Sequence, residues 1–154
     1  MADGGVLRRL TAPVYLVAAL LVILPILDFV TNVWPLQPGQ AVWRYGTVGL
    51  FSGFVLTPLL GLLVAIAAAA LAEHGRALDV MGMLSLAAGV VFVLLMGLFL
   101  LDAFEVRANV PPAGKPQFDN GIWRAAVKYL AVAVAVIWMG VAARRSARHL
   151  RRAR

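Results

Sequence analysis

The chain has 154 residues, 62% hydrophobic and 14% charged, with 14 Lys and Arg against 7 Asp and Glu, two histidines and no cysteine. A soluble domain is nearer half apolar, so the excess points to lipid as the solvent. The missing cysteine excludes disulfides and thiolate nucleophiles or metal ligands, the two histidines leave few metal or haem arrangements, and the basic residues behind the net charge of +7 flank apolar runs, so neither a cofactor nor a nucleic-acid partner is expected.

Four apolar runs, residues 13–29, 46–72, 80–101 and 122–143, predict spanning helices. A helix needs roughly 20 apolar residues to cross a bilayer, and none of these runs alternates polar with apolar as a spanning strand would. The expected fold is an all-α integral membrane protein of one domain, residues 1–154, with four transmembrane helices in a bundle.

In the first run Thr11 is the expected cap and Pro13 opens the first turn. Arg8 and Arg9 before it look like the basic start of a signal peptide, but no small-x-small cleavage site follows, which favours an uncleaved span. Pro25 is expected to kink the helix one turn before Asp28. A Pro- and Gly-rich loop over residues 31–44 follows.

The second run carries small residues at every fourth position: Gly49, Gly53, Thr57, Gly61, Ala65 and Ala69. Such a stripe lets another helix backbone approach closely, either within the chain or in an oligomer. Thr57-Pro58 predicts a kink. Gly75 is expected to end this helix in a left-handed conformation, with a short link into the third helix.

Asp79 is the expected cap of the third helix, and Asp119 or Asn120 that of the fourth. Between these helices lies a second loop, residues 105–121, whose Glu105, Arg107, Asn109 and Lys115 offer the best surface for a partner. The middles of the four spans hold no Asp, Glu, Lys, Arg or His; their polar side chains are Ser52, Thr57 and Ser85. Charge inside a bilayer usually marks function, so this pattern speaks against ion-coupled transport and electron transfer, while a pore lined by backbone or hydroxyls stays open.

Four spans put both termini on one side. Arg8, Arg9, Arg76, Arg144, Arg145, Arg148, Arg151, Arg152 and Arg154 lie there, against Arg44, Arg107, Lys115, Arg124 and Lys128 on the other. The positive-inside rule places the richer side in the cytoplasm, hence a multi-pass protein of the cell (inner) membrane. Residues 144–154 form a basic tail expected to lie against anionic lipid. Trp34, Trp43, Tyr45, Trp123 and Tyr129 gather at the outer ends, and Trp138 lies near the inner one, as in an aromatic belt; stacking platforms for a lipophilic ligand are the alternative.

One junction occurs twice. Leu27-Asp28 closes the first run and Trp43-Arg44 opens the second; Leu101-Asp102 closes the third and Trp123-Arg124 opens the fourth. This suggests two tandem helical hairpins in parallel orientation. A guanidinium offers a fork of donors to a carboxylate at the lipid boundary, so Asp28 with Arg44 and Asp102 with Arg124 are the expected pairs, and a crossed pairing of Asp28 with Arg124 the alternative. No nucleophile or phosphate-cradling loop accompanies the two acids, which favours ion pairs over catalysis.

The expected function is that of an accessory, structural or scaffolding subunit in a larger membrane assembly or homo-oligomer, with the bilayer and other membrane subunits, or further copies, as partners. A small channel or transporter for a neutral or lipophilic solute is the alternative, and a membrane enzyme a third reading. High Ala, Leu, Val and Arg usage hints at a G+C-rich bacterial source.

Overall fold

The computed structural model describes residues 4–152, with side chains from Leu10 onward. Every regular element among them is helical: α1 (Gly4–Asn32), α2 (Ala41–Phe54), α3 (Leu56–Leu71), α4 (Gly75–Ala108), a 3-10 turn (Pro112–Gly114) and α5 (Lys115–Arg152). Three helices are long and apolar enough to cross a membrane, and there are four such spans if the bent α2–α3 pair counts as one.

The helices run further than the capping residues suggest. α1 covers Gly4–Asn32, so Thr11 lies inside it and is not its cap, and Pro13 and Pro25 both lie inside it as well. α4 begins at Gly75, four residues before Asp79, and α5 begins at Lys115, ahead of Asp119 and Asn120. An acid near a helix start is free to face a neighbouring helix instead of capping its own, and Asp79 and Asp119 both do so. Most of the anticipated loop 105–121 is therefore helical. The earlier loop is a true one, confined to residues 33–40.

Pro58 does interrupt the second run. Lacking an N–H, it leaves the Phe54 carbonyl without its helical donor. α2 ends at that residue, Val55 intervenes, and α3 sets off at 46° to α2. The helix end expected at Gly75 comes earlier: Glu73 takes the left-handed conformation with φ of 55°. The N–H of Glu73 donates to Ala70 O and that of His74 to Ala69 O, a Schellman arrangement that satisfies the last carbonyls of α3.

α4 and α5 form a long antiparallel hairpin, the most extensive helix pair in the molecule, and α2 and α3 lie across it. α1 packs against α3 and briefly against α2, and its backbone approaches neither α4 nor α5. Coverage of the helices is thus uneven. Within the apolar part of α1 only Ala18 is buried, whereas α5 buries Ala125, Tyr129, Val132, Ala133, Val136, Met139, Gly140, Ala143 and Ala147. The two hairpins also differ in construction, since a bend divides α2 from α3 while α4 and α5 are each one continuous helix.

Candidate functional site

The strongest polar feature joins the two hairpins. Asp102, on α4, is 4% exposed, and Arg44 sits in the first turn of α2. Arg44 Nη2 donates to Asp102 Oδ1 at 2.7 Å and Nε to Oδ2 at 3.0 Å, a forked contact. Its Nη1 donates to the Pro38 carbonyl at 2.9 Å and so pins the 33–40 loop. Beneath the pair, Tyr45 stacks between Phe99 and Phe118 at 4.9 and 5.1 Å. One turn deeper, the buried Tyr129 hydroxyl donates to the Val48 carbonyl, tying α5 to α2.

This corrects the expected pairing. Arg44 crosses to Asp102 instead of joining Asp28, because α2 packs along α4 and barely touches α1. Asp28 is exposed and accepts from Asn32 Nδ2 at 3.3 Å. Arg124 is exposed on the side of α5 away from its buried face, as is Lys128 one turn later. Asp28 and Arg124 do not meet, and among the described residues neither forms an ion pair.

The other end of the hairpin has its own clasp. Asp79 Oδ2 accepts from Arg151 Nη2 at 2.8 Å, and its Oδ1 lies 3.5 Å from Arg144 Nε. That Nε is buried without a hydrogen-bond partner, so its contact with Asp79 is electrostatic. Residues 144–152 of the basic tail are therefore a helical continuation of α5, with Arg144 and Arg151 engaged. Arg145, Arg148 and Arg152 face outward, and Arg154 lies outside the described residues. A third bridge, from Arg107 Nε and Nη2 to Asp119 at 2.6 and 2.8 Å, closes the exposed turn between α4 and α5.

Between the clasps runs a seam of small residues. A methyl group added at Gly82 would stand 3.0 Å from Gly140 O, and one at Gly140 would stand 2.9 Å from Gly82 O and 3.1 Å from Leu86 N. One added at Gly89 would run into Ile137. Ser85, fully buried in this seam, returns its hydroxyl proton to Met81 O at 2.8 Å.

The stripe on the second run, by contrast, is no single face, because the bend at Val55 breaks its register. Gly53 and Thr57 are exposed, with open space at Gly53, and Gly49 and Ala65 are half-buried. Gly61 meets α1, where an added methyl would lie 2.8 Å from Ala18 O. Ala69 is buried against Leu78, Ala143 and Ala147. The longest run of close packing is on α4 and α5, signalled in the sequence by Gly82, Ser85 and Gly89 at helical spacing. Trp34, Trp123 and Trp138 are 70–72% exposed, and Trp43 is half-buried.

No protein-family model, curated protein or solved structure matches the chain.

Proposed function

We propose that the chain is a membrane protein of four spans, with α2–α3 as one bent span, and that it serves as an accessory or scaffolding subunit packing into a larger membrane assembly or homo-oligomer. One observation carries this reading: α1 lies largely uncovered, held mainly by α3, and carries the carboxylate of Asp28 on its exposed surface. A charge facing hydrocarbon is costly, and a cation from a neighbouring subunit relieves that cost.

The spacing of the clasps supports the span reading. Asp79 and Asp102 lie on one continuous helix, about 34 Å apart at 1.5 Å per residue, close to the ~30 Å of a bilayer's hydrocarbon core. Arg76, Arg144, Arg145, Arg148, Arg151 and Arg152 cluster toward the Asp79 end, which favours the cytoplasmic side of the cell membrane for both termini. Arg145, Arg148 and Arg152 suit anionic lipid there. The exposed tryptophans suit the two interfaces.

A small channel or transporter is the competing reading. It needs a passage, and the middle of the molecule is filled by Gly89 against Ile137 and by Phe51, Phe92, Val132 and Val136. Mass measurement on gently solubilised protein tests the proposal: multimers or stoichiometric co-purifying subunits are expected. A lone monomer that supports solute flux in liposomes would overturn it in favour of transport.

A further inference from the structure

A transverse row of rings sets the depth of the unpaired charges. Phe29 packs on Phe51 at 4.8 Å, Phe51 on Phe92 at 6.0 Å, and Phe92 on Tyr129 at 6.2 Å. The row links α1, α2, α4 and α5 and slopes toward the Asp102 end at Tyr129, which also meets Phe99 at 6.3 Å. Asp28 precedes Phe29, which packs on Phe51 and Phe54, and Lys128 precedes Tyr129, so the exposed acid of α1 and the exposed amine of α5 stand at the two ends of this row, the amine nearer the Asp102 end and within reach of a long side chain. Arg124 stands one turn further toward the Asp102 end. Asp102 itself is ten residues beyond Phe92 on α4, about 15 Å at helical rise, so Asp28 sits well inside the zone bounded by the two clasps.

These charges form no ion pair within the described chain, and the backbones of α1 and α5 do not approach each other. Arg124 and Lys128 are also like charges at i, i+4, which repel unless an anion lies between them. Around them both helices expose apolar side chains, Leu20, Leu24 and Leu27 on α1 and Val127, Leu130 and Val134 on α5.

We infer that α1 of one copy docks antiparallel on α5 of a second copy, with Asp28 reaching Lys128 and Arg124 across the interface. The contact continues between copies the one that Arg44 and Asp102 make inside the chain: a basic residue from the start of one hairpin's returning helix meets an acid from the end of the other hairpin's first helix. Its two surfaces differ, so it is heterologous, and repetition builds a ring or a row. It rests on the scaffold reading above and names that reading's partner as further copies of this chain.

The absence of cysteine makes cross-linking clean. Full-length protein carrying Leu27→Cys and Val127→Cys, at positions both 56% exposed, is oxidised in native membranes. A ladder of disulfide-linked multimers is expected, with none from either single variant. Adding Asp28→Lys should abolish the ladder, and adding Arg124→Asp and Lys128→Asp to that variant should restore it. Dimers from Leu27→Cys alone would overturn the inference in favour of a symmetric α1 contact. A ladder indifferent to Asp28→Lys would also overturn it and assign Arg124 and Lys128 to lipid phosphate. Multimers by mass without the ladder would sink this interface and leave the scaffold reading standing, whereas a monomer with no co-purifying subunit would remove both.

Discussion

Both hairpins carry an Asp where the chain leaves its apolar stretch and a Trp-Arg where it returns. In the α4–α5 hairpin the acid, Asp102, is buried and held in a fork by Arg44. In the hairpin of α1 with α2–α3 the acid, Asp28, is exposed and forms no ion pair among the described residues. The difference lies in the neighbours, not in the junction. α4 is packed on by α2, α3 and α5, while α1 has one substantial partner. The same residue type thus becomes an internal clasp on a surrounded helix and an open contact point on a peripheral one.

The largest test of that contrast is a matched acid substitution. Asp102→Ala removes the buried carboxylate and leaves a part-buried guanidinium with the Pro38 carbonyl, and losing hydrogen bonds to a charged partner costs about 1.5–3 kcal/mol. The same change at Asp28, which has only a weak contact to Asn32, should stay within about 0.5 kcal/mol in dispersed monomer. Thermal unfolding in mild detergent reads both. Equal losses at the two sites would show that Asp28 has a partner inside the chain.

A matched glycine substitution comes next. At Gly140 a methyl group meets the backbone of α4 at 2.9 Å and must push the helices apart, which costs about 1–3 kcal/mol. At Gly53 nothing lies within 4 Å of the added group, so Gly53→Ala should instead gain roughly 0.5–1 kcal/mol by restricting the unfolded chain. Opposite signs in the same unfolding assay are expected. A loss at Gly53 would mean that the stripe on the bent span is an occupied interface in the monomeric preparation.

The contrast also explains what could be read beforehand. Long apolar runs and the breaking effect of Pro58 are local properties, and the three long apolar helices and the bend at Val55 follow from them. Asp79 and Asp119 carried a local signal as well, that of a cap, but each found a guanidinium across the hairpin turn or on the facing helix. Glu73 took the left-handed position that Gly75 would fill at lower cost, because the turn geometry is set by where α4 starts. The pairing of Arg44 depended on which helices touch, and nothing within one hairpin encodes that. The seam was visible as Gly82, Ser85 and Gly89, yet a more regular period-four stripe stood on the preceding run. Regular spacing marks a possible face only while the helix stays straight, and α2–α3 does not.

The smallest effect is expected at the Asp79 clasp, and it bears on the comparison through solvent. Asp79 is 26% exposed and Arg151 60% exposed, so their attraction is partly screened, unlike that of the nearly buried Asp102. Exposed pairs contribute about 0.2–1 kcal/mol. Asp79→Asn should therefore lower stability by no more than about 1 kcal/mol, and the loss should shrink as salt rises and the Debye length falls toward ~3 Å at 1 M. The Asp102→Ala loss should change little over the same range, because the nearly buried carboxylate is shielded from ions. Unfolding of both variants across a salt series separates the two behaviours. A loss at Asp79 that resists salt would indicate that lipid or detergent buries this clasp as deeply as the protein buries Asp102.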